Sequence, residues 1–203
     1  MPKRRLVALP WGEEKTGKTH FAFTFPAPIY LYDFNFGTEG VIEEFEEKVA
    51  MYYPYPLLPC PSVEEMEQTL NKFRREYREG IRDAPAGATI IIDNCTDLDV
   101  IVTEVMKKET FEHKYHNEIK GKAADLEDYQ PPPLDWGRRN AYMRSILTSP
   151  LTRRDLNAVM IHAAKPVFAD NKKTGRWELA GYGGASKATQ VTIQTQRKGM
   201  EFS

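Results

Sequence analysis

Gly12-Glu13-Glu14-Lys15-Thr16-Gly17-Lys18-Thr19 decides how the rest of this chain is read. A glycine, four intervening residues and then Gly-Lys-Thr make the pattern of a loop that wraps an anion. Gly12 and Gly17 give the backbone conformations closed to other residues, so the N–H groups of Glu13, Glu14, Lys15, Thr16 and their neighbours turn inward to a phosphate. Lys18 supplies a point charge for terminal phosphates, and the Thr19 hydroxyl supplies a hard oxygen for Mg²⁺. From His20 to Phe25 the sequence predicts a short helix whose positive end faces the same phosphates. Leu6-Val7-Ala8-Leu9 ahead of the loop is an apolar run of strand type, which gives the strand–loop–helix order this chemistry requires. Gly12 to His20 is thus the expected nucleotide-holding stretch, with ATP and Mg²⁺ as the expected ligands. The alternative is a glycine-containing surface turn with a stray lysine.

The 203 residues suffice for one domain with a substantial core. Lysines and arginines nearly balance the acids, for a formal net charge of −1. Contact with nucleic acid must therefore come from local basic patches and not from a global field. Cys60 and Cys95 form neither a disulfide framework nor a metal spacing, which suits a reducing cytoplasm. The apolar run behind Lys3-Arg4-Arg5 is too short for a signal-peptide core, and no stretch reaches membrane-spanning length.

Strand-like and helix-like stretches then alternate. Ile29-Tyr30-Leu31-Tyr32 reads as a second buried strand ending at Asp33-Phe34-Asn35, and Val41 to Lys48 as a short acidic helix. Val49 to Tyr53 reads as a third strand. Ser62 and Glu65 form a capping box, and Val63, Met66, Leu70, Phe73 and Tyr77 recur at helical spacing. Ala88 to Asp93 is the strongest strand in the sequence. A helix is expected over Leu98 to Lys108, an insertion or excursion over 109–135, and a helix over Trp136 to Leu147. Ala158 to Ile161 makes a fifth strand, 165–184 a glycine-rich basic loop or hairpin, and Val191 to Thr195 a closing strand. This order predicts a single α/β domain with a mainly parallel sheet covered by helices on both faces.

Several residues fall where such a sheet presents ligands. Asp93 ends a buried strand and is expected at the ligand edge, where a carboxylate supports Mg²⁺; capping of the following helix is the alternative, and Asn94, Thr96 or Asp97 suits that purpose better. Its neighbour is Asn94, so a carboxylate that activates water must come from elsewhere. Asp33 and Glu39 are the two candidates, with helix capping as the competing role for Glu39. His162 ends the fifth strand on the same edge, either as a contact to the γ-phosphate or as a structural histidine. Lys165, Lys172, Lys173, Arg176 and Trp177 suit tracking of a single strand's phosphates with one stacked base; a solvated hairpin is the alternative. Arg138, Arg139, Arg144, Arg153 and Arg154 read by default as a charged helix face.

In this order, the Gly12–Thr19 loop, the strand ending at Asp33, the Ile90-Ile91-Ile92-Asp93 strand and the strand ending at His162 resemble the ATPase core of RecA-type recombinases. The resemblance is to the small phage-encoded RecA-like ATPases associated with single-strand annealing and recombination in particular. Gly183-Gly184-Ala185-Ser186-Lys187, an alternating strand and Arg197-Lys198 are similar to the segment that closes RecA's second DNA-binding loop. The resemblance implies a P-loop NTPase with Lys18 and Thr19 on phosphate and Mg²⁺, Asp93 on the metal, His162 as γ-phosphate sensor and 165–184 as a DNA loop. It also implies Lys187 reaching a neighbouring subunit's nucleotide, hence a homo-oligomer with ATP at the subunit interface. Single-stranded DNA and a single-strand DNA-binding protein are the implied partners, and a host cytoplasm the implied location. One departure stands out: the family's catalytic glutamate ends the second strand, where this chain has Asn35. A nucleoside kinase and an ATP-gated module that does not hydrolyse are the rival readings.

Overall fold

A computed structural model describes residues 5–55, 61–118, 130–133, 135–169, 171–198 and 201–202. Lys3, Arg4, Cys60 and part of the expected excursion, residues 119–129 and 134, lie outside them.

β1 (Val7–Gly12) leads through the glycine loop into α1 (Lys18–Phe23). β2 (Ile29–Asp33), α2 (Val41–Glu44) and β3 (Val49–Pro54) follow, then the long α3 (Val63–Asp83). The expected capping box forms at the start of α3: Glu65 N–H donates to Ser62 Oγ at 3.2 Å, and Ser62 N–H to the Glu65 carboxylate at 2.7 Å. β4 (Thr89–Asp93) runs directly into α4 (Cys95–Glu118), and α5 (Trp136–Thr148) precedes β5 (Asn157–Met160). β6 (His162–Ala169) and β7 (Lys172–Leu179) form a hairpin; β8 (Val191–Thr195) and a small ribbon, β9 (Arg197–Lys198) with β10 (Glu201–Phe202), end the chain.

β1 to β8 make one mixed, mostly parallel sheet. Its main path runs β3-β2-β4-β5-β1, all parallel. β8 lies parallel to β1 along Ala8 to Gly12, and β6 joins β1 at Trp11 and Gly12 before turning back antiparallel as β7. Successive side chains alternate across the sheet, which explains why the strands read as unbroken apolar runs. Val7, Leu9, Ile90, Ile92, Ala158 and Met160 face the core under α3, α4 and α5, whereas Ala8, Ile91, Val159 and Ile161 face the one under α1 and α2. Helices therefore cover both faces, as the alternation predicted. An aromatic layer seals α3: Tyr32 stacks on Tyr53 at 4.9 Å and meets Tyr77 edge-on at 5.0 Å.

One expectation changes, and one open alternative narrows. α4 begins at Cys95 and continues to Glu118, so residues 109–118 belong to a helix and not to an excursion. The basic 165–184 stretch is an ordered hairpin up to Leu179, its tip carried by Asn171 at φ 59° and its irregular strand by Gly175 at φ 73°. No helix among the described residues is long and apolar enough to cross a membrane.

Candidate nucleotide site

The carboxyl ends of β1, β2, β4 and β5 converge at one edge of the sheet, and the glycine loop rises from that edge. Gly17 takes φ +79°, the left-handed conformation that favours glycine, and caps α1. Gly12 has a different reason to be glycine. It is still strand, and a Cβ there would collide with both the backbone oxygen and the hydroxyl of Thr195 at the end of β8. With the Thr16 proton on Glu13 O at 2.9 Å, Thr195 is the donor to Thr16 Oγ1 at 2.6 Å, and Trp11 O lies farther from it at 3.3 Å. The loop is thus braced from beneath by the last strand of the sheet. Glu13, Glu14 and Lys15 stand exposed on its rim.

Lys18 folds over the loop and donates to the carbonyls of Gly12 at 3.1 Å and Glu13 at 2.5 Å. Burial lowers its pKa, and the attraction of Asp93, Glu14 and Glu13 works against that shift. Thr19 donates to Asp93 Oδ2 at 2.8 Å. Burial pushes the Asp93 carboxyl up to about 7, opposed by the Thr19 hydrogen bond and reinforced by Asp33. A buried carboxylate beside a hydroxyl is a hard-oxygen pair in search of a positive charge, so these two residues fit Mg²⁺. No three His, Cys, Asp or Glu side chains form a metal-holding group among the described residues. His20 sits against α2, 3.6 Å from Glu44 and edge-on to Phe45.

The two candidate bases differ sharply. Asp33 pairs in register with Asp93 but is fully buried. Its carboxylate accepts from the Thr38 hydroxyl, from Tyr52 OH at 3.3 Å and from the Asn35 N–H at 3.2 Å. Those bonds make it the anchor of the 34–40 turn. Glu39 is exposed on that turn, one residue before Gly40, the N-cap of α2.

Helix capping falls to Asn94, the residue after Asp93. Its Oδ1 accepts the Asp97 N–H at 2.7 Å, and its Nδ2 donates to Asp97 Oδ2 at 2.8 Å. Burial raises the pKa of Asp97, opposed by the Asn94 and Asn35 side chains, with Asp33 and Glu14 adding to the shift. In the sequence Asp97 stands out only as a candidate helix cap.

His162 lies beside Trp11 in the β1–β6 pairing. It is fully buried, its Nδ1 is 3.1 Å from Ala180 O, and its Nε2 is buried without a partner. Burial drives its pKa down to about 4, so the ring is neutral at physiological pH. Thr96 Oγ1, in the first turn of α4, accepts the Ala163 N–H at 3.0 Å. The root of the β6–β7 hairpin is therefore fastened to both α4 and the strand that feeds the phosphate loop.

On the hairpin, Lys172, Lys173 and Arg176 are exposed, Trp177 is half-buried opposite Pro166, and Lys165 pairs with Glu178 at 3.1 Å. Phe168, a second aromatic that the sequence reading passed over, is 56% exposed. Lys187 is exposed on a short turn of 3₁₀ helix. The segment before it is fixed by a buried ion pair between Arg139 of α5 and Asp99 of α4, with the Arg139 guanidinium 5.7 Å from the Tyr182 ring. Arg153 donates to the carbonyls of Ile81, Arg82 and Ala84 and so ends α3. Neither arginine belongs to a plain charged face.

Comparison with protein-family models and with curated proteins finds no match, so the chemistry of the site stands on these residues.

Proposed function

We propose that this chain is a Mg²⁺-dependent ATP-binding and ATP-hydrolysing protein with a RecA-like core that acts on single-stranded DNA, in phage recombination or replication. One observation carries the nucleotide half of this reading. The loop threonine Thr19 meets Asp93, a carboxylate from another strand 74 residues away, at 2.8 Å beside Lys18. A surface turn with a stray lysine has no need of that partner. Gly12 to Thr19 hold the phosphates, Thr19 and Asp93 hold Mg²⁺, and the ion supplies charge neutralisation on the transferred phosphoryl group. The buried, neutral His162 stands close to Gly12 in the sheet, which suits a sensor of the terminal phosphate.

The DNA half is supported by the β6–β7 hairpin. It offers exposed Lys172, Lys173 and Arg176 for phosphates and Phe168 and Trp177 for base stacking, and its root pairs with the strand that carries Gly12. Lys187, on the exposed 185–188 turn, and Arg197, in the terminal ribbon, are the candidates to reach a neighbour's nucleotide in a homo-oligomer. A nucleoside kinase would need a mobile arginine lid, and Arg139 and Arg153 are both engaged inside the fold. The test is DNA binding and ATP turnover with and without single-stranded oligonucleotides, on the wild type and on Lys173→Glu and Trp177→Ala. Stimulation by DNA that weakens in both variants is expected; turnover indifferent to DNA in all three chains would remove the DNA half.

A further inference from the structure

Hydrolysis at this site needs a group that orients water and takes its proton, and the surrounding carboxylates are unequal to that task. Asp93 accepts from Thr19 and belongs to the metal. Asp33 is fully buried with three hydrogen bonds on its two oxygens. Glu39 is exposed to solvent on the turn ahead of α2.

Asp97 differs from all three. It is half-buried in the first turn of α4, with a backbone N–H fixed by Asn94. Its carboxylate accepts from the Asn94 amide at 2.8 Å, and the Asn35 side chain, from the turn after β2, favours its charged form. A carboxylate has about four acceptor positions, so the Asn94 bond orients it and leaves capacity for water. It follows Asp93 by one turn of α4, at the carboxyl edge of the sheet from which the glycine loop rises.

We propose that Asp97 is the catalytic carboxylate of this site, aimed at the attacking water by Asn35 and Asn94. The inference rests on the ATP-hydrolysis reading above. In the step, the water oxygen forms a bond to the γ-phosphorus while the bond from that phosphorus to the β,γ-bridging oxygen breaks. ADP leaves with the bonding pair, the water proton passes to the Asp97 carboxylate, and it returns to solvent with release of inorganic phosphate. Burial raises the proton affinity of Asp97, in the direction a general base at neutral pH requires. Asn35 and Asn94 are positioning residues.

The experiment uses the full chain with Asp97→Asn, Asp97→Glu and Asn35→Ala. Affinity is read with a fluorescent ATP analogue in Mg²⁺, and chemistry by single-turnover phosphate release. For Asp97→Asn, binding equal to or tighter than the wild type is expected, because a negative charge near the phosphates is gone. Its hydrolysis falls about 10²- to 10⁴-fold, the range for a lost general base. Asp97→Glu retains the carboxylate and part of the rate, and Asn35→Ala lowers the rate by about 10-fold with affinity unchanged, as expected for a group that only aims the base. Hydrolysis by Asp97→Asn within threefold of the wild type, or binding and hydrolysis lost together in Asp97→Asn and Asp97→Glu alike, overturns the proposal. A wild type that fails to bind ATP overturns the nucleotide-site reading itself, which is a separate and distinguishable failure.

Discussion

The hydroxyl of Thr195, the last residue of β8, lies 2.6 Å from the hydroxyl of Thr16 in the phosphate loop. The end of the sheet thereby fixes the shape of the loop before any ligand arrives. Thr195→Val keeps the volume and deletes the hydrogen bond, worth about 1 kcal/mol. Nucleotide affinity is expected to fall about fivefold in that variant and to return in Thr195→Ser, as read by titration with a fluorescent ATP analogue. Gly12→Ala is expected to lose more, because one of its collisions is with the Thr195 backbone and no side-chain change relieves it.

Gly80 tests the packing of α3 on the sheet. An alanine inside a helix is ordinarily better than glycine by about 1 kcal/mol, yet a Cβ at Gly80 would run into the Tyr32 hydroxyl. Gly80→Ala should therefore destabilise the protein by about 1–3 kcal/mol, the cost of overpacking. In a Tyr32→Phe background the obstructing oxygen is absent, and the same substitution should be close to neutral. Denaturant unfolding of the four chains measures the coupling directly.

Asp93 is a site residue that weakens the empty protein. Its folded pKa of about 7 stands above the ordinary value of 3.8. The contribution of the neutral form is thus fully present below the unfolded value and is lost as pH rises through 7. Asp93→Asn should stabilise the nucleotide-free protein at pH 8, by roughly 2–4 kcal/mol at 1.36 kcal/mol per pKa unit, while abolishing Mg²⁺-dependent turnover. Thermal unfolding at pH 5 and pH 8 checks it: the gain should be large at the higher pH and small at the lower.

His162 has the opposite sign. Its folded pKa of about 4 lies below the ordinary value of 6.5, so the unfolded chain binds more protons and stability falls as pH drops from 6.5 towards 4. In that window Asp93 gains what His162 loses, and the two partly cancel in the wild type. His162→Asn keeps a donor for Ala180 O and removes the titration. As pH falls from 6.5 to 4, its stability should rise relative to that of the wild type by about 3 kcal/mol, because the Asp93 gain is no longer offset.

The parts of this fold that could be read in the sequence are those whose cause is local. The Gly12–Thr19 pattern, the Ser62–Glu65 cap and the apolar runs of β2, β4, β5 and β8 each carry their signal within a few residues, and all form where expected. Residues 109–118 carry no apolar period because that end of α4 is polar, so the helix could be recognised only by propensity. Asp33 and Glu39 looked equivalent as candidate bases; only the arrival of Tyr52 from β3 and the folding back of Thr38 distinguish them. Thr195 and Asp97 gave no signal as site residues. Each acts through contacts between segments distant in sequence, Thr195 with the loop and Asp97 with Asn35, and spacing along one chain does not encode such contacts.

The account depends most on Lys18 and Asp93 forming a working Mg²⁺·ATP site. The most direct measurement is steady-state ATP hydrolysis by the purified chain with Mg²⁺, with Mg²⁺ withdrawn, and by Lys18→Ala. The account predicts measurable turnover in the first case and loss of at least 100-fold in the other two, in the range expected when a phosphate-binding charge is removed. Turnover that persists without Mg²⁺ or in Lys18→Ala, or an ATP affinity unchanged by that substitution, would contradict it.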